Sequence, residues 1–205
     1  MAVVQTEKPA WKTDELVMFE DEVAKFFKRE LAPHVEKWRA QGCVDRWAWN
    51  KAGEAGLLCM SIPEEYGGAG GNFAHEQIFI EQQEWAGIEG FGAGLHNCIV
   101  APYILHYGTE EQKKRWLPKM ASGELVGAIA MTEPGTGSDL QGVKTTAIKK
   151  GNQYVVNGSK TFITNGQTAN IIIVVAKTDP SEGAKGVSLM VVETDEVDGF
   201  RRGRN

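Results

Sequence analysis

The sequence predicts an α+β fold in which an all-α helical bundle precedes an antiparallel, barrel-like sheet that is incomplete at its C-terminal end. Three observations carry this expectation. Apolar residues recur with a period near 3.6 up to Gly123, the period drops to 2 beyond it, and helices and strands do not alternate as βαβ units do. The change divides the chain into a helical domain over 1–124 and a β-domain over 125–205, and it argues against a Rossmann fold.

Thr13, Asp14 and Glu15 open the first helix, with Leu16, Phe19, Val23, Phe26 and Phe27 on one face up to about Pro33. Asp45 caps a second helix that closes at Gly56, because glycine just past a helix end accepts a left-handed conformation. Ser61 to Asn72 reads as a loop. Asn72 caps a third helix through Trp85, and a fourth carries Leu95, Ile99, Tyr103 and Leu105 to Gly108 with a kink at Pro102. Thr109 to Gln112 is a capping box that opens a fifth, whose Trp116, Leu117 and Met120 face inward until Gly123. Five strands follow, at Leu125 to Met131, Lys144 to Lys149, Tyr154 to Val156, Ile171 to Lys177 and Val187 to Glu193. They are rich in β-branched residues and bounded by the turn dipeptides Gly151-Asn152, Asn157-Gly158 and Asn165-Gly166.

Composition narrows the function. With 205 residues, 42% of them hydrophobic, the chain can bury a real core, and a net charge of −5 argues against nucleic acid or an acidic membrane as main partner. Cys43, Cys59 and Cys98 lack metal-ligand spacing and read as reduced thiols, with no metal site. No apolar run approaches the roughly 20 residues of a membrane span. The first dozen residues, with Glu7, Lys8 and Pro9, lack the apolar core of a signal peptide, so the expected location is cytoplasmic.

Two stretches can carry chemistry. In Gly127 to Asp139, GAIAMTEPGTGSD, an apolar strand runs into a loop with two glycines, three hydroxyls and two acids. Its backbone N–H groups can approach a phosphate or a flavin edge, since glycine holds no side chain in the way. It is neither a Walker loop nor a G-x-G-x-x-G turn, and by spacing alone a structural turn of a β-protein is the better reading. Asn157 to Gly166, NGSKTFITNG, sets an aromatic and three hydroxyls between two Asn-Gly pairs; the plain alternative is a hairpin arm with Phe162 in the core.

Both stretches resemble the signature segments of the acyl-CoA dehydrogenases. IPEEYGGAGG (62–71), GTEEQKKRWLPKMASGE (108–124) and GFRRGRN (199–205) stand in the family's order and spacing, so nearly the whole chain is covered. GAIAMTEPGTGSDLQG (127–142) with NGSKTFITNG is most similar to the long-chain branch. The resemblance implies FAD-dependent α,β-dehydrogenation of an acyl-CoA thioester to the trans-2-enoyl-CoA, of the fatty acid β-oxidation type. A carboxylate removes the α-proton, FAD takes the β-hydride, and hydrogen bonds to the thioester carbonyl stabilise the enolate.

The resemblance also implies site residues. Ile129, Ala130, Met131 and Thr132 would lie along the isoalloxazine, with Thr132 bonded to its polar edge, and Gly137 and Ser138 would reach flavin and substrate together. Phe162, where many relatives carry Trp, would pack against the ring system, while Ile163 and Thr164 contact it near the reactive edge. Ala184 and Lys185 fall where relatives contact CoA; pairing with a phosphate and simple solvation stand level for Lys185. In Phe91-Gly92-Ala93-Gly94 the small side chains, Gly94 above all, leave room for a longer acyl chain, with tight helix packing as the equal alternative. His96 and His106 read as packing residues without a catalytic role.

The family's base is a glutamate on a C-terminal helical domain, and neither Glu133 nor Asp139 matches it. No catalytic residue is therefore assigned within the chain. The base is expected beyond Asn205, and the chain alone is expected to be inactive and unstable, with unpaired sheet edges. The parent enzyme would be a homotetramer passing electrons to an electron-transfer flavoprotein. The competing readings are an acyl-CoA oxidase or flavin monooxygenase of the same architecture, and a non-catalytic fragment binding acyl-CoA or a protein. The flavin-facing Thr132, Ser138, Phe162 and Thr164 speak against the last of these.

Overall fold

Helix α1, Asp14–Phe26, begins where the Thr13 hydroxyl accepts the Leu16 N–H, and it buries Leu16, Val23 and Phe26. The computed structural model describes residues 9–204; residues 1–8 of the segment read against a signal peptide, and Asn205, lie outside them. The chain does not leave the helix at Pro33. It widens into a π turn at Phe27–Leu31 and a 3-10 turn at Ala32–His34, then continues as α2, Val35–Gln41. Helix α3, Arg46–Glu54, follows. Asp45 precedes it as expected but does not cap it: its carboxylate accepts from Lys37, Trp38 and Trp47 instead, tying α2 to α3. Asn72 does cap α4, Phe73–Trp85.

The expected fourth helix is built in three pieces, α5 (Ala93–Leu95), a π turn (His96–Val100) and α6 (Ala101–Tyr107). Both π turns end two residues before a proline, Pro33 or Pro102. Proline has no N–H, and its ring collides with the carbonyl four residues back; a widened turn just before it relieves both conflicts. The kink expected at Pro102 is thus a locally widened helix. Helix α7, Glu110–Ala121, starts in the expected capping box of Thr109 and Gln112 and buries Trp116, Leu117 and Met120.

The strands are β1 (Gly127–Ala130), β2 (Thr146–Lys150), β3 (Gln153–Asn157), β4 (Ile171–Lys177) and β5 (Val187–Glu193). They form one open, mixed sheet, which corrects the antiparallel barrel. Strand β4 is its centre. On one side it pairs parallel with β1, Gly127 opposite Ile171, and then with β2 at Thr146 opposite Lys177; on the other it pairs antiparallel with β5. Only the β2–β3 hairpin turns on an expected dipeptide, Gly151-Asn152, with Gly151 at φ 64°. Asn157-Gly158 and Asn165-Gly166 make no hairpin. Asn157 closes β3, and the strandless segment 158–170 that follows carries the chain back so that β4 enters in the same direction as β1.

Two apolar clusters hold the halves together. One joins α1, α2, α3 and α4 through Phe27, Trp38, Trp49 and Phe79. The other seats the helices on the sheet, with Val100, Ile104, Leu117 and Met120 against Ile129, Ile171 and Ile173. His96 reinforces this second contact. Its Nδ1 accepts the Gly127 N–H at 2.9 Å, and its Nε2 lies 3.1 Å from the Met120 carbonyl, an arrangement that requires the neutral ring protonated on Nε2. Burial, only partly offset by that carbonyl, pushes its pKa from 6.5 to about 4. The folded state therefore takes up a proton at lower pH than the unfolded chain does. Stability is expected to fall as pH drops from 6.5 through about 4, by up to about 3 kcal/mol. Urea midpoints at pH 7 and pH about 4 test this, with His96→Gln removing much of the difference.

Candidate functional site

The two chemistry-bearing stretches lie side by side. The Thr161 N–H donates to the Thr132 carbonyl at 2.9 Å, just past the carboxyl end of β1. At the other end, Asn165 Nδ2 donates to the Gly127 carbonyl at 3.0 Å. Residues 161–165 therefore run alongside 127–132 in the opposite sense, without strand pairing, and alternation along this short run decides what faces out. Ile163 turns inward onto Ala128, Ala130, Ala169 and Ile172. Phe162 and Thr164, on either side of it, are exposed.

Phe162 is 96% exposed and has φ 57°, so the hairpin arm with Phe162 in the core is not what forms. A left-handed conformation at a bulky aromatic costs on the order of 1–3 kcal/mol and is kept only where the surroundings enforce it. The ties at Thr161 and Asn165 enforce it here. Ile129 is buried in the cluster under the helices, Ala130 in a third, smaller cluster with Ala128, Ala169 and Ile172 on the opposite face of β1, and Ile163 is packed onto that third cluster, so the side chains of these three are turned away from solvent. Met131, Phe162 and Thr164 are exposed, and Thr132 is half-buried. Gly137 and Ser138 continue the accessible surface along an exposed loop.

That loop is anchored from below. Glu133 and Thr136 exchange backbone hydrogen bonds around Pro134-Gly135, and the buried Glu133 carboxylate accepts from the Lys144 N–H (2.7 Å), the Thr145 N–H (2.9 Å), the Thr145 hydroxyl and Lys160 Nζ (2.9 Å). Burial pushes this carboxyl up, but the hydrogen bonds outweigh it and hold its pKa at about 2. Lys160 Nζ also donates to the Met131 carbonyl at 2.9 Å, so one buried ion pair fixes both stretches. Asp139 accepts the Gln141 N–H and caps the turn Leu140–Gly142, which packs against the turn Pro180–Gly186. Ala184 and Lys185 lie exposed in that second turn, at the same end of the sheet as Ser138.

On the helical side, Thr164 borders a cleft of about 470 Å³ lined by Gln83, Ile88, Phe91 and Gly92. Gly94 lies half-buried in α5, where an added Cβ would touch Ile80 at 3.4 Å. A planar aromatic group fits the accessible face. The Thr161 hydroxyl is buried without a partner, Phe162 has a ring bare of protein contacts, and Gly135 and Gly137 have open space where side chains would stand. Among the described residues the hydroxyls of Thr132, Ser138 and Thr164 make no hydrogen bond within the chain. In the sequence reading Lys160 had no role, Asn165 was only half of a turn dipeptide, and Gly92 was only one of the small residues before Gly94. Their signal was present only as position, inside or beside the two stretches.

Comparison with known proteins bears on this geometry. Residues 13–124 match the model of the acyl-CoA dehydrogenase N-terminal domain, and residues 128–205 that of the middle domain. The chain is 48% identical to the mitochondrial long-chain specific acyl-CoA dehydrogenase of Sus scrofa over 91% of its length, and it spans 44% of that relative. It superposes on an acyl-CoA dehydrogenase from Geobacillus kaustophilus with a TM-score of 0.92 at 48% identity, covering 96% of this chain and 52% of that one. A glutaryl-CoA dehydrogenase from Mycobacterium smegmatis, solved in complex with FADH2, gives a TM-score of 0.82 at 30% identity over 92% and 47% of the two chains. The cytoplasmic expectation does not stand against these relatives, since the pig protein and its mouse and rat counterparts are mitochondrial. Neither thiol count nor net charge distinguishes those two reducing compartments. The chain spans about half the length of these relatives, and with both domain models matched in order and relatives of this identity it belongs to the acyl-CoA dehydrogenase family.

Proposed function

We propose that the protein performs the FAD-dependent α,β-dehydrogenation of a long-chain acyl-CoA thioester to the trans-2-enoyl-CoA. The observation that carries this reading is the pairing of 161–165 with 127–132, which brings Thr161 beside Thr132 and leaves Phe162 and Thr164 exposed, with Thr164 at the edge of the Gly92 cleft. The division near residue 124 then separates an acyl-binding helical wall from a flavin-binding sheet.

When bound, FAD supplies the acceptor for the two electrons leaving the acyl chain. The hydroxyls of Thr132 and Thr164 donate to its polar edges, and Phe162 covers its ring. Main-chain groups of Ile129, Ala130 and Ile163 form the bed beneath these side chains. Gly137 and Ser138 let the loop approach both flavin and thioester, and Ala184 with Lys185 receives the CoA portion at the same end of the sheet. Gly94 and Gly92 leave the acyl tail its room. Glu133 is held ionised under four donors and Asp139 is spent on a turn, so neither serves as the base; a glutamate beyond Asn205 is the proposed one. By the same family resemblance, the whole protein is a homotetramer that hands its electrons to an electron-transfer flavoprotein. Nothing on the accessible face favours the oxidase or monooxygenase alternative.

The test is visible absorbance. The whole protein, incubated with FAD and desalted, is expected to keep the flavin bands, and palmitoyl-CoA is expected to shift or bleach them. A protein that retains no flavin and shows no response to acyl-CoA overturns the reading.

A further inference from the structure

Asn165 stands where three parts of the molecule meet. It adopts φ 64°, and its Nδ2 donates to the Gly92 carbonyl and to the Gly127 carbonyl, both at 3.0 Å. Gly92 opens the helical segment that leads to Gly94, Gly127 begins β1, and Thr164 precedes Asn165 in the chain. One carboxamide thus spans the wall of the cleft, the strand beside it and the exposed turn 162–164. The contact is close: a Cβ on Gly92 would collide with Asn165 Oδ1 and approach Thr164 Cγ2 to 2.7 Å. Gly92 itself has an ordinary φ of −73°, so its lack of a side chain answers the approach of Asn165 rather than a backbone requirement.

We propose that Asn165 is a positioning residue that fixes the gap between the flavin-facing turn and the acyl wall, and through it the response to long acyl chains. This rests on the flavin and acyl-CoA reading above. Both donors of the carboxamide are used, one to each domain, so removing them frees the Gly92 carbonyl and the Gly127 carbonyl together and lets the cleft lose its width. A chain short enough to end before Gly92 does not sense that width. One long enough to pass it does.

The experiment compares the wild type with Asn165→Gly, which keeps the positive φ and deletes the carboxamide, and with Asn165→Asp, which keeps the side chain's shape and tolerance of positive φ but removes both N–H donors. Each is loaded with FAD and titrated with palmitoyl-CoA and butyryl-CoA, following the flavin band. Both variants are expected to retain flavin, to raise the apparent Kd for palmitoyl-CoA about tenfold and to leave butyryl-CoA within about twofold, as the loss of one or two neutral hydrogen bonds implies. If Asn165→Gly fails to fold by circular dichroism, Asn165→Asp decides by the same ratio. A palmitoyl-to-butyryl ratio equal to the wild type's, whatever happens to thermal stability, overturns the positioning role. A wild type that binds neither FAD nor acyl-CoA overturns the underlying reading instead, so the two failures are distinct.

Discussion

Glu133→Ala is expected to destabilise the protein by about 3–5 kcal/mol, the range for removing one member of a buried ion pair. The side chains of Glu133 and Lys160 are 6% and 10% exposed, so the lysine would be left charged in a site with little water. Two backbone N–H groups, of Lys144 and Thr145, would lose their acceptor as well. Urea denaturation measures the loss, and a change below about 1 kcal/mol would mean that the pair is peripheral. Because Lys160 also holds the Met131 carbonyl, flavin retention should fall in the same variant. The double variant Glu133→Ala with Lys160→Met should recover part of the stability, since no buried charge remains unpaired. The pH dependence follows the same pair. With its pKa held at about 2 against an ordinary 4.5, the carboxylate's contribution is complete above pH 4.5 and is lost as pH falls toward 2. Glu133→Gln should flatten that acid limb.

What the sequence disclosed, and what it did not, divides along the range of the interactions. The caps of α4 and α7 were legible because Asn72, Thr109 and Gln112 bond to backbone only two or three residues away. The limits of β4 and β5 were legible because β-branched runs stop at turn residues. Strand direction was not, because it is set by how 158–170 travels, and that path is fixed by bonds to Thr132, Gly127 and Arg46, the last 122 residues from its partner Thr168. The π turns were missed because a proline signals trouble without saying whether the helix breaks or widens. Phe162 shows the same limit in the site: an aromatic between hydroxyls fits a core or a ligand face equally, and only the inward turn of Ile163 chooses between them. Fold class and the location of the site were therefore carried by local pattern and resemblance, whereas Asn165, Lys160 and the cleft needed the tertiary path.

Replacing Thr132 and Thr164 together by alanine is expected to weaken FAD binding about five- to hundredfold, since two hydrogen bonds of about 0.5–1.5 kcal/mol each are lost. The contrast with Glu133 is what makes the result diagnostic. Among the described residues neither hydroxyl bonds within the chain, and Thr164 is exposed, so the urea midpoint without flavin should not move. An effect on cofactor affinity without an effect on the apoprotein's stability is the behaviour of groups aimed at a ligand. Thr132→Ser with Thr164→Ser keeps both donors and should restore the affinity, and the position of the flavin's visible band should follow the hydroxyls rather than the methyl groups. If the alanine pair binds FAD as the wild type does, with the same spectrum, the polar edge of the flavin lies elsewhere. The loop of Gly137 and Ser138, the remaining accessible part of this face, would then be where its partners are to be sought.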